Sequence, residues 1–76
     1  MSLEVNADDR SIDLITHWLT GQIDDDAIRA GLSTEGLSGQ GAEAVEELLA
    51  ELQRDDASRG HLHMVAREAV EALATG

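Results

Sequence analysis

At 76 residues, with no Cys and no Pro, the chain has the size of one domain and neither disulfides nor prolines to stiffen it. Its formal net charge is −11, from 16 acidic side chains against five basic ones, and Lys is absent, so every base is an Arg. That balance excludes nucleic acid as a partner, because no basic patch exists to displace counterions from phosphate, and it excludes anionic membrane for the same reason.

Two readings of the acidity follow: attraction to a basic partner protein, or adaptation of the whole surface to a salt-rich or GC-rich host. Apart from Ala, the apolar residues are Leu, Ile and Val with two Met and a single Trp. A core of that kind is modest, and chains this small often gain stability by pairing, so a homodimer is one expectation. No apolar run approaches the length of a membrane span. The opening Met1-Ser2-Leu3-Glu4 lacks the basic and apolar regions of a signal peptide. The expected location is therefore the cytoplasm.

Four helical stretches are read in chain order after a frayed segment over residues 1–6. The first spans about 7–20, with Asn6 as its cap and Asp8 and Asp9 in the first turn, where the helix dipole favours negative charge. Ile12, Ile15 and Leu19 share one face, widened by Leu14 and Trp18. Gly21 supplies the left-handed residue that ends it. A short second helix over about 25–30 is capped by Asp24, with Ile23 and Ile28 at the spacing of a hydrophobic staple. Gly31 is expected to end it with positive φ, and Leu32 to fold back onto it.

Residues 33–41 hold three Gly and form the one long loop, with Leu37 tucked towards the core. The third helix, over about 42–54, carries Val45, Leu48, Leu49 and Leu52 as a regular stripe. Asp55 and Asp56 make a tight connection to a fourth helix over about 57–74, whose stripe is Leu62, Val65, Ala66, Ala69, Val70 and Leu73. The short link makes the last two helices an antiparallel hairpin. The fold expectation is thus all-α: a small four-helix bundle in one acidic domain, with a short second helix.

No catalytic constellation can be assembled. Ser11, Ser33, Ser38 and Ser58 fall where turns or caps favour Ser, and Ser38 lacks the Asp-Ser-Leu setting of a carrier protein's modified serine. His61 and His63 suggest a metal pair, but residues two apart on a helix point roughly 200° from each other, and His17 has no evident place beside them. Asp24, Asp26 and Glu35 fit calcium-loop positions one, three and twelve, but Ile28 and Arg29 stand where an oxygen ligand and Gly are needed. Gly36, Gly39 and Gly41 lack the preceding strand and the Lys of a phosphate loop. No cofactor is expected, and no enzymatic activity.

The stretch from Trp18 to Asp26, Trp-Leu-Thr-Gly-Gln-Ile-Asp-Asp-Asp, resembles a helix–Gly–helix segment of bacterial regulatory modules, including zinc-binding anti-sigma domains. The His and the Cys pair of those domains are absent here, and capping physics accounts for the stretch by itself.

What remains is a protein-interaction module: a small regulator or inhibitor, antitoxin-like or mimicking nucleic acid, that binds a basic protein surface. Its recognition residues are expected to be Glu43, Glu46, Glu47 and Glu51 on the third helix, with Trp18 either a core anchor for the corner at Gly21 or an aromatic hot spot of the interface. The alternatives are a homodimeric structural domain whose acidity is only host adaptation, and a metal-responsive protein using His61 and His63.

Overall fold

The computed structural model describes residues 7–54 and 56–75. Its elements are α1 (Ala7–Leu19), α2 (Asp25–Gly31), α3 (Gly39–Leu52) and α4 (Arg59–Thr75). The expected frayed segment and the Asn6 cap lie outside the described residues.

Contacts at the helix ends fix the topology. Glu51 near the end of α3 meets His61 near the start of α4, and Gly41 near the start of α3 lies against Leu73 near the end of α4. The two helices are therefore antiparallel, as the short connection requires. Trp18 near the end of α1 touches His63, so α1 is also antiparallel to α4. The chain turns at Gly21, runs back through α2, and passes Ala7 at Gly36 before α3 begins. The result is an up-down-up-down bundle in which α4 packs on both α1 and α3, and the shorter α2 bridges α1 and α3.

Each helix buries one stripe. Ser11, Ile15 and Trp18 are the buried residues of α1, and Val45, Leu48 and Leu52 carry that of α3 after Gly41. Leu62, Val65, Ala66, Ala69 and Leu73 line α4, where the small Ala side chains at 66 and 69 let its neighbours approach. Ile15, Ile28, Val45 and Leu48 are fully enclosed. Full burial of such a side chain stabilises by about 1.5–3 kcal/mol relative to exposure. Leu37 is half-buried against this core, as expected.

Several ends differ from the sequence expectation. α3 begins at Gly39, three residues early, because the glycines of the loop continue into its first turn. α4 begins at Arg59, two residues late, because Ser58 caps it: the His61 N–H donates to Ser58 Oγ at 3.1 Å and the Leu62 N–H to the Ser58 carbonyl at 3.0 Å. Gly21 does adopt a left-handed conformation, φ 81°. Gly31 does not, since it is the last helical residue of α2 and is not among the positive-φ glycines. Its small size serves another purpose: a Cβ there would stand 3.1 Å from Leu14 Cδ2. Leu32, which is buried, then closes the helix by donating its N–H to the Ile28 carbonyl at 2.8 Å. Ser11 sits neither in a turn nor at a cap but in mid-helix, facing inward.

Candidate functional site

The amphipathic period that turns Val45, Leu48 and Leu52 inward turns Glu43, Glu46 and Glu47 outward, and all three are exposed. Among the described residues no hydrogen bond or ion pair engages any of their side chains, and α3 contains no Lys or Arg. Glu43 and Glu47 are one turn apart and Glu46 lies beside them, so three like charges share a short stretch of helix surface.

Glu51 does not belong with them. Its side chain is only 15% exposed, and Arg54 Nη1 lies 3.3 Å from its Oε1. His61 Nε2 lies 3.3 Å from its Oε2. That oxygen is buried and has no hydrogen bond, because the ring nitrogen is close but not aligned to donate. Of the four acids expected to form the recognition surface, Glu43, Glu46 and Glu47 are thus unopposed among the described residues, and Arg54 offsets Glu51. Arg54 also reaches Asp56 at 3.2 Å. The bond and charge of Arg54 hold the Asp56 carboxyl below the usual range, and Asp56 and Glu51 hold the guanidinium's proton more tightly.

Trp18 is 2% exposed and belongs to the core, the first of the two places its position on α1 allows. Its indole N–H donates to Asp25 Oδ1 at 2.8 Å. Arg59 Nη1 reaches both oxygens of the same carboxylate at 3.3 Å, and its guanidinium carbon lies 5.8 Å from the Trp18 ring centroid. His63 meets the ring edge-on at 5.2 Å. The Trp18 hydrogen bond is the main cause of a lowered Asp25 pKa; partial burial opposes it and Arg59 adds to it. This cluster joins α1, α2 and α4 at one end of the bundle.

The two helical histidines therefore face different neighbours, His61 towards α3 and His63 towards α1. His17 donates its Nδ1–H to the Asp13 carbonyl, 2.7 Å away, elsewhere on α1. Among the described residues no three His, Asp or Glu side chains gather as a metal site. Asp24, Asp25 and Asp26 each have local work: Asp24 caps α2 by accepting from the Ala27 N–H at 2.8 Å, Asp25 holds Trp18 and Arg59, and Asp26 pairs with Arg29.

Because α2 is only seven residues long, it covers just part of the thirteen-residue α1. A groove of about 360 Å³ runs beside Ala7, Arg10, Ser11 and Leu14, closed on the other side by the loop through Ser33 and Glu35. It continues into a more open hollow of about 570 Å³ over Leu14, Ile23 and Gly31, with Arg10, Asp13 and His17 around it. The shortness of the second helix is the one sequence feature that hints at this groove. Away from it, among the described residues, the large apolar side chain left exposed is Met64 on α4, at 53%. Among the described residues no helix is long and apolar enough to cross a membrane.

No protein-family model, curated protein or solved structure matches this chain. The functional reading rests on the geometry alone.

Proposed function

We propose that this protein is a small acidic protein-interaction module, a regulator or inhibitor that binds a basic surface on a partner protein. The observation that carries this reading is the trio Glu43, Glu46 and Glu47: exposed, on one ordered helix, and paired with no cation among the described residues. Three of the five Arg are drawn to other acids, Arg29 to Asp26, Arg54 to Glu51 and Asp56, and Arg59 to Asp25. The trio is thus left to face solvent or a partner. Charge presented this way steers encounter and fixes orientation more than it adds affinity. It also imitates the spaced negative charges that a nucleic-acid-binding surface accepts, which gives an inhibitor its means of competition.

Affinity capture from the native host, followed by association kinetics at graded salt, tests this reading. The variant replaces Glu43, Glu46 and Glu47 together by Gln. Its association rate is expected to fall about tenfold at low salt and to converge on the wild-type rate as salt rises. A captured partner with no basic surface, or a variant whose rate and salt slope match the wild type, sinks the proposal.

A further inference from the structure

We draw no further inference here: the strongest candidate, the groove beside α1 over Leu14, Ile23 and Gly31, carries Arg10 and His17 together with Asp13 and Glu35 along its length, so its charge favours no one occupant, and nothing in the structure shows what covers it.

Discussion

Asp24 and Ser38 both stand at helix N-caps with extended backbone, yet only one of them caps with its side chain. Asp24 accepts a 2.8 Å bond from the Ala27 N–H, whereas Ser38 makes no side-chain cap bond to α3. Asp24→Ala is therefore expected to cost about 1 kcal/mol, and Ser38→Ala to stay within about 0.5 kcal/mol of the wild type; urea unfolding of both variants checks the pair. Equal losses would mean that Ser38 does cap. Gly21 and Gly31 divide in the same way. At Gly21 a Cβ would meet nothing within 4 Å, but φ is +81°, so Gly21→Val is costly through backbone strain alone, by about 1–3 kcal/mol. An unchanged melting temperature would remove the left-handed corner. Gly21 and Asp24 were legible in the sequence because turn and cap chemistry is local. The role of Gly31 was not, because it depends on where Leu14 of another helix stands.

At the level of elements, the stripes were readable and the joints between helices were not. Periodicity located the inward faces of α3 and α4, but no spacing rule places Asp25 against both Trp18 and Arg59, since that contact spans thirty-four residues between Asp25 and Arg59. Glu51 is half such a case: Arg54, three residues on, is placed beside it by helix spacing, but His61 reaches it only through the hairpin. The Asp25 cluster yields a prediction with a pH signature. Trp18→Phe keeps an aromatic ring in the core but removes the N–H donated to Asp25, and is expected to cost about 1–2 kcal/mol near neutral pH. Because the folded-state pKa of Asp25 is lowered from 3.8, its contribution is present above that value and is lost as pH falls through the lowered one. Trp18→Phe has given up most of that contribution already. The stability gap between wild type and variant should therefore narrow on acidification below about pH 4. A gap that stays constant from neutral to acid pH would show that the loss is one of packing and not of the bond to Asp25.

Across the whole molecule the question is where a net charge of −11 is felt. The bundle measures 44 × 25 × 17 Å. At 0.1 M salt the screening length is about 10 Å, shorter than its thinnest dimension, so charges on opposite sides hardly interact. Repulsion that survives is between neighbours on one face, and Glu43, Glu46 and Glu47 are such neighbours. Replacing all three by Gln is expected to raise the melting temperature by about 2–4 °C at low salt, from a few tenths of a kcal/mol per relieved pair in a domain of this size. The gain should fade as salt is added. Glu51→Gln should act in the opposite direction, because that carboxylate is mostly buried beside Arg54 and its removal leaves Arg54 with Asp56 alone. Thermal melts of both variants at low and moderate salt separate the two environments of α3. If the trio variant gains nothing at low salt, the three acids do not repel appreciably in the free protein, and slower association in that variant would then report on the partner alone. If it gains stability and also associates more slowly, one set of charges destabilises the isolated bundle and speeds its encounter, which is the trade expected of a recognition surface and not of a solvated face.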